Sequence, residues 1–308
     1  MILCFDIGGS TIKIAHAWAP DDVRPQGRVP TPGHDLAAFL AVLRAAIAAA
    51  PEPPARLTFS IAGDVDGKAG VAKIANIPCL DGRPVVAEFS GALGLPVDLA
   101  NDADCFALAE ATVGAGRGHD IVLGIILGTG IGGGIVLRGE LVPGMAGEWG
   151  HGGVAQRVVG TPEIVLPEFP CGCGATGCLD AVCGARGLER LHRHLGGQPL
   201  DTHAIITGWQ AGAAAESRTI SIWLQIMTGP LVMMQNTLGA GVIAAGGGLS
   251  NSHALLAALD GAVRARLLRP GHRPLIVPAE CRVEPGLVGA AILGLKRLGE
   301  DAGSVPAG

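Results

Sequence analysis

Ile2-Leu3-Cys4-Phe5-Asp6-Ile7-Gly8-Gly9-Ser10-Thr11-Ile12-Lys13-Ile14 stands near the start of the chain, and its reading decides the fold. A strand over 2–5 enters a glycine turn at 6–11 and leaves in a second apolar, alternating run from Ile12 to Trp18. Strand, glycine turn, strand predicts a hairpin. Rossmann and P-loop sites instead place their glycines between a strand and a helix. At a hairpin tip, Gly8 and Gly9 let backbone amides and the hydroxyls of Ser10 and Thr11 approach phosphates, with Asp6 placed to act on a metal's water shell. The pattern recurs. Asp120–Leu127 is a buried-strand run, Gly128-Thr129-Gly130-Ile131-Gly132-Gly133-Gly134 is a glycine segment, and Ile135–Leu137 is another strand. Two such units predict a duplicated architecture of two α/β lobes, each offering a phosphate-clamping hairpin to a cleft between them. A nucleotide polyphosphate is the ligand that the pair suggests.

Between the hairpins, residues 35–50 read as a helix ended by Pro51, and 57–61 as a strand followed by a turn at Gly63-Asp64-Val65-Asp66-Gly67. Asn76 lies in a loop, residues 85–93 form a short helix, and the strand 96–100 stops at Asn101-Asp102-Ala103-Asp104 before a helix over 103–113. Asn101 and Asp102 therefore sit at the carboxyl end of a strand, where open α/β sheets place their ligands. Asp102 serves equally well as a helix cap, and spacing alone leaves both open. Further on, helices are expected over 185–195, 219–237, 253–268 and 286–298, and residues 208–215 are expected to lie in a small-residue helix, with the tail from Gly299 frayed. A strand at 241–245 ends in a third glycine loop, Gly246-Gly247-Gly248-Leu249-Ser250, suited to close approach by an adenine or ribose.

Gly147-Glu148-Trp149-Gly150-His151 is followed by Cys171-Gly-Cys173-Gly-Ala-Thr-Gly-Cys178-Leu-Asp180. Three cysteines and one histidine are the four-ligand set of a closed tetrahedral zinc site, and the glycines at 172, 174 and 177 suit a tight knuckle. A disulfide is the competing reading. The expected N-terminus argues for metal, because Asp6 interrupts the apolar run and no signal peptide is expected, so the eight cysteines point to a reducing cytoplasm. Glu148 and Asp180 flank the cluster with carboxylates, which outlines a substrate site. The net charge of −5, without a basic run, gives no support for nucleic-acid binding. Met227–Leu249 is apolar but carries Pro230 and six glycines, so a buried helix running into a buried strand is expected in place of a membrane span.

Asp6-Ile-Gly-Gly-Ser, Leu127-Gly-Thr-Gly-Ile-Gly-Gly-Gly, Glu148-Trp-Gly-His151, Cys171-x-Cys-x4-Cys178 and Gly246-Gly-Gly-Leu-Ser together resemble the ROK family of sugar kinases and repressors. The likeness spans nearly the whole chain. It implies an actin-like, ribonuclease H-like two-lobed ATPase fold with a zinc knuckle in the second lobe. The expected lobes are 1–117, with a C-terminal helix over 286–308 packing back on it, and 118–285. ATP with magnesium is implied, with a structural zinc held by His151, Cys171, Cys173 and Cys178, and often a homodimer. The implied reaction is phosphorylation of the 6-hydroxyl of a hexose, with N-acetyl-D-glucosamine the expected acceptor among N-acetylhexosamines. Glucose, N-acetylmannosamine and fructose are the alternatives, as is a non-catalytic sugar-binding regulator. Repressors of the family carry a helix-turn-helix ahead of the first hairpin, for which this sequence leaves no room.

Carried over by motif, Asp102 is the general base, and Gly63, Asn76, Asn101, Gly130, Glu148, His151 and Asp180 are sugar contacts. Asp6, Gly8, Gly9, Ser10, Thr11, Gly128, Thr129, Gly130, Gly132, Gly133, Gly247 and Gly248 hold ATP. The chain departs from the family pattern at Asp180, where glutamate is usual, and at Thr11, where lysine is common and Lys13 lies two residues on. It also departs at Ser60–Gly63, where the family has Gly-x-Pro-Gly, and at Leu238–Gly241, where it has Asp-Pro.

Overall fold

The computed structural model of the chain describes residues 1–65, 71–74, 76–144, 146–154, 157–158 and 164–303. Asp66 and Gly67 of the expected turn, and the tail from 304, lie outside the described residues. The chain divides into two compact units, Met1–Gly114 with the segment from Cys281 onward, and Ala115–Glu280. In the first unit the order is β1 (Ile2–Ile7), β2 (Thr11–Ala19), β3 (Asp22–Pro30), α1 (Leu36–Ala48), β4 (Arg56–Ile61), β5 (Asp64–Val65), β6 (Ala72–Lys73), α2 (Val85–Leu93), β7 (Val97–Asn101) and α3 (Asp102–Val113). The second runs β8 (Ile121–Leu127), β9 (Ile131–Leu137), β10 (Glu140–Leu141), β11 (Arg157–Val158), β12 (Ile164–Val165), α4 (Leu179–Cys183), α5 (Ala185–His194), α6 (Thr202–Gln210), α7 (Ala214–Leu238), β13 (Val242–Gly246), α8 (His253–Arg264) and β14 (Ile276–Pro278). The chain then returns to the first unit as α9 (Pro285–Gly303).

The two units repeat one topology. Their sheets are ordered β3-β2-β1-β4-β7 and β10-β9-β8-β13-β14. In each, a glycine hairpin supplies an antiparallel pair and two further strands join in parallel. This is the α/β duplication that the glycine hairpins predict, and the actin-like topology that the family resemblance implies. Parallel strands are covered on both faces, and Arg56-Leu-Thr-Phe-Ser-Ile61 is buried at every position, with its polar residues Arg56, Thr58 and Ser60 alternating with apolar ones. One face of the first sheet is filled by Phe5, Phe39, Phe59 and Phe89, with Phe5 and Phe59 edge to face at 5.3 Å. On the other face α9 packs against α3, where a Cβ on Gly289 would strike the Cys105 carbonyl. The second unit's core gathers on Trp223, which is fully buried and donates its indole N–H to the Cys183 carbonyl at 2.9 Å.

Several boundaries differ from those expected. β3 was not foreseen, because Pro25, Pro30 and its exposed polar residues disguise it; proline is tolerated there because β3 is an edge strand. The glycine segment expected to span 128–134 turns only at 128–130, while Gly132, Gly133 and Gly134 pair within the sheet against Ile126, Ile125 and Gly124. The stretch 208–215, expected to lie in one helix, is instead the end of α6, which starts at Thr202 capped by Asp201, a turn through Gly212 at φ 81°, and the first residues of α7. The helix expected over 286–298 continues to Gly303, so residues 299–303 are not a frayed tail. Met227–Leu249 is the end of α7 followed by β13, and among the described residues no helix is long and apolar enough to cross a membrane.

Candidate functional site

In the first unit, β1, β4 and β7 lie side by side in parallel, so their carboxyl ends deliver Asp6, Gly63 and Asn101 to one edge of the sheet. Asn101 caps α3, its Oδ1 accepting from Ala103 N at 2.8 Å, while its Nδ2 donates to the Gly63 carbonyl at 2.8 Å. Asn101 is therefore the cap, and Asp102 occupies the first helical position, with Oδ1 accepting from Ala103 N at 2.9 Å. Negative charge at a helix N-terminus is favoured by the aligned peptide dipoles, and Asp102 stands in that first turn. Gly63 has φ 151°, and a Cβ there would lie 2.6 Å from the Lys73 carbonyl, so the turn admits only glycine.

The Gly8–Gly9 turn is closed by Gly8 N donating to Thr11 O at 2.9 Å, and Thr31 Oγ1 donates to Gly8 O at 2.7 Å. A Cβ on Gly9 would come within 3.1 Å of the Asn76 side chain, so the structure brings the turn against the Asn76 loop; Ala75, which precedes Asn76, lies outside the described residues. Ser10 is exposed at the tip and Thr11 begins β2.

The sequence reading noted Lys13 and Ser60 only at departures from the family pattern, and Glu284 not at all. Ser60, Lys13 and Glu284 join Asp6 in one polar chain. Counting outward from the Gly8–Gly9 turn would have placed Lys13 opposite Asp6. No comparable signal marks Glu284.

In the second unit, β8 and β13 are parallel neighbours, and their carboxyl ends bring Gly128 and Gly247 together. Gly247 has φ 89°, and a Cβ there would lie 2.9 Å from Gly128 N. Gly248 opens a 3-10 turn over Gly248–Asn251. Ala185 N donates to Gly128 O at 2.8 Å, and the Thr129 carbonyl lies against Gly184, so the turn rests on the α4–α5 junction. Gly133 lies within β9 beneath Trp149, where a Cβ would be 2.9 Å from the indole nitrogen; Gly132 pairs with Ile126.

The four residues read as zinc ligands converge, with one ligand atom from each of His151, Cys171, Cys173 and Cys178 within 4.8 Å of all the others. Tetrahedral zinc with Zn–S of about 2.3 Å requires sulfurs about 3.8 Å apart. Cys173 and Cys178 Sγ are 3.7 Å apart, and Cys171 Sγ is 3.3 Å from His151 Nδ1. All eight cysteines are free, which excludes the disulfide reading for this cluster. The knuckle is shaped by Gly174 and Gly177 at φ 92° and 69°, and it is pinned by bridges Gly153–Cys178 and Pro170–Thr176. Donor set and spacing both fit zinc.

Glu148 and His151 lie on the 3-10 turn Ala146–His151, three residues apart, with Glu148 Oε2 3.0 Å from His151 Nε2. Nδ1 thus faces the thiols while a carboxylate holds the other ring nitrogen, the arrangement by which proteins orient metal-bound histidines. Asp180 Oδ1 accepts the Ile131 N–H at 2.6 Å, and its Oδ2 lies 3.8 Å from Cys171 Sγ. A Cβ on Gly130 would collide with Asp180 Oδ1. Asp180 thus braces the Gly128–Ile131 turn against the knuckle, and Gly130 leaves room for it to do so.

The family model described as the ROK family matches residues 2–297. The chain is 36% identical to an N-acetylgalactosamine kinase of Shewanella sp. (strain ANA-3), over 94% of this chain and 95% of that protein. It is 35% identical to an N-acetyl-D-glucosamine kinase of Pasteurella multocida (strain Pm70), over 95% and 99%. The solved structure of a ROK family glucokinase from Streptomyces griseus, in complex with glucose and AMPPNP, matches 95% of this chain and 98% of its own, with 26% identity and a TM-score of 0.71. Taken with the paired glycine hairpins and the cysteine knuckle, these likenesses establish that the chain belongs to the ROK family, among its sugar kinases.

Proposed function

We propose that this sugar kinase transfers the γ-phosphoryl group of ATP to the 6-hydroxyl of an N-acetylhexosamine, with N-acetyl-D-glucosamine the first acceptor to test. The observation that carries the reading is the 35–36% identity, over nearly the whole chain, to kinases named for N-acetylated hexosamines. An N-acetylgalactosamine kinase stands among them, so the C4 epimer is the second reading.

In the proposed chemistry, Asp102 accepts the 6-hydroxyl proton as that oxygen attacks the γ-phosphorus, and the bond to the β-bridging oxygen breaks to release ADP. Little covalent work falls to the protein in phosphoryl transfer, so Asp102 contributes mainly by aiming the oxygen. Asn101 fixes the Gly63 turn and the start of α3 relative to one another, which holds Asp102 in place. The backbone amides of Gly9, Ser10, Thr129 and Gly130 at the tips of the two turns spread phosphate charge, with Gly247 and Gly248 beside the nucleoside. A magnesium ion bound with ATP would supply further charge neutralisation on the Asp6 side. Glu148 and Asp180 recognise the ring and its acetamido group, His151 orients Glu148 through Nε2, and the four-ligand knuckle holds one structural zinc that shapes this loop. ADP release measured over N-acetylglucosamine, N-acetylgalactosamine, N-acetylmannosamine, glucose and fructose tests the proposal. The highest kcat/KM on an N-acetylated sugar supports it, and a preference for glucose or fructose overturns it.

A further inference from the structure

Asp6 and Lys13 face each other across the β1–β2 hairpin, and Lys13 Nζ donates to Asp6 Oδ2 at 3.1 Å. The other oxygen, Oδ1, accepts from Ser60 Oγ on β4 at 3.0 Å. Lys13 donates also to Glu284 Oε2, immediately before α9, at 2.7 Å. A Cβ on Gly286 would come within 2.6 Å of Asp6 Oδ1 and 2.9 Å of Ser60 Oγ, so the first turn of α9 closes on the carboxylate. Segments as far apart as residues 6 and 286 thus converge on one acid, whose side chain is 20% exposed. Burial disfavours the Lys13 ammonium, but Glu284 and Asp6 outweigh it and hold the group above the ordinary lysine value, so it stays charged. Ion pairs this close to water stabilise a fold only slightly. What the arrangement does accomplish is to leave Asp6 a single side-chain orientation at the mouth of the glycine turn.

We propose that Lys13 is a positioning residue for phosphoryl transfer: clamped between Asp6 and Glu284, it fixes the Asp6 carboxylate toward the nucleotide's hydrated cation and cancels one of two adjacent negative charges. The inference rests on the reading of Asp6 given above. Partners that orient such groups typically cost roughly 10–100-fold in metal affinity or activity when removed.

The test is equilibrium binding of a non-hydrolysable ATP analogue, with and without magnesium, by calorimetry, together with steady-state kinetics. Lys13→Met is expected to weaken magnesium-dependent analogue binding and raise the ATP KM by roughly 10–100-fold, leaving the sugar KM and melting temperature unchanged. Lys13→Arg should restore most of the loss, which a merely structural role would not require. If Lys13→Met does not fold, Lys13→Gln, which keeps a donor but no charge, carries the same expectation. Wild-type analogue binding in the folded variant overturns the inference, as does an equal loss for sugar and nucleotide. Asp6→Ala separates the two levels. If it abolishes magnesium-dependent binding while Lys13→Met does not, positioning alone fails; if it too is without effect, the reading of Asp6 fails first.

Discussion

Asp102 and Asp180 are both acids next to backbone N–H donors, yet the structure gives them different surroundings. Asn101 holds the cap position of α3, and Asp102, at the first helical position, shares the Ala103 N–H with it. Asp102→Asn keeps the shape and loses the proton acceptor, so kcat is expected to fall by roughly 10²–10⁴-fold with sugar binding retained. Unchanged kcat in steady-state assays would move the base elsewhere. Asp180 has one oxygen committed to Ile131 N–H. Asp180→Asn preserves an acceptor for that bond and removes only the charge. A charge-assisted bond from the sugar to the other oxygen is worth on the order of 1.5–3 kcal/mol, so the sugar KM is expected to rise roughly 10–100-fold, with kcat changing less. If Asp180→Asn is kinetically silent while Asp180→Ala lowers the melting temperature, Asp180 is a brace and nothing more. Its bond to Ile131 could not be read from sequence, because it joins residues 49 apart through a backbone amide.

At the scale of elements, the knuckle and the second glycine hairpin are one construction. Asp180 ties Ile131 to α4, Ala185 N ties Gly128 to the start of α5, and Trp149 lies over Gly133. Metal loss is therefore expected to disturb nucleotide as well as sugar. Protein purified without added zinc should contain close to one equivalent per chain, and Cys173→Ser should lose it, with both KM values raised and the melting temperature lowered. A zinc-free, stable and fully active protein would refute the assignment. Both hairpins and the knuckle were legible because their chemistry is local: glycines where the backbone turns, and ligands clustered near one another. β3, β14 and the β5–β6 pair were not, since short or proline-bearing edge strands carry no periodic apolar signal. Gly132–Gly134 misled in the other direction. Their run suggests a loop, whereas Gly133 is glycine because a Cβ would meet the Gly124 carbonyl at 2.6 Å.

For the whole molecule, the duplicated topology was legible from two glycine hairpins, while the long-range polar contacts inside each unit were not. Glu110 is one example: fully buried on α3, it accepts the Cys281 N–H at 2.8 Å across 171 residues. Burial, together with Glu110, pushes the Cys281 thiol up to about 11. Cys4, Cys79 and Cys105 are also raised by burial in the first unit, and outside the knuckle only Cys183 is in the second. In each case the folded state favours the neutral thiol. Below the unfolded value, about 8.5, both states are protonated and nothing is lost. Above it the unfolded chain ionises first, so stability falls as pH rises toward the folded value, by up to about 1.4 kcal/mol per pH unit for each fully buried thiol and by less for the partly exposed Cys79 and Cys281. Lys13, held above its ordinary value, adds loss in the same direction at still higher pH. The first unit is thus expected to be the more alkali-sensitive. Scanning calorimetry between pH 8.5 and 10.5 should show its melting transition falling further, and Cys4→Ala should flatten that fall by about 2.5 kcal/mol over the two pH units. The cavity left by alanine lowers stability at every pH and so leaves the slope to report the thiol alone. Parallel pH curves for the wild type and Cys4→Ala would show that buried thiols do not set the alkaline limit.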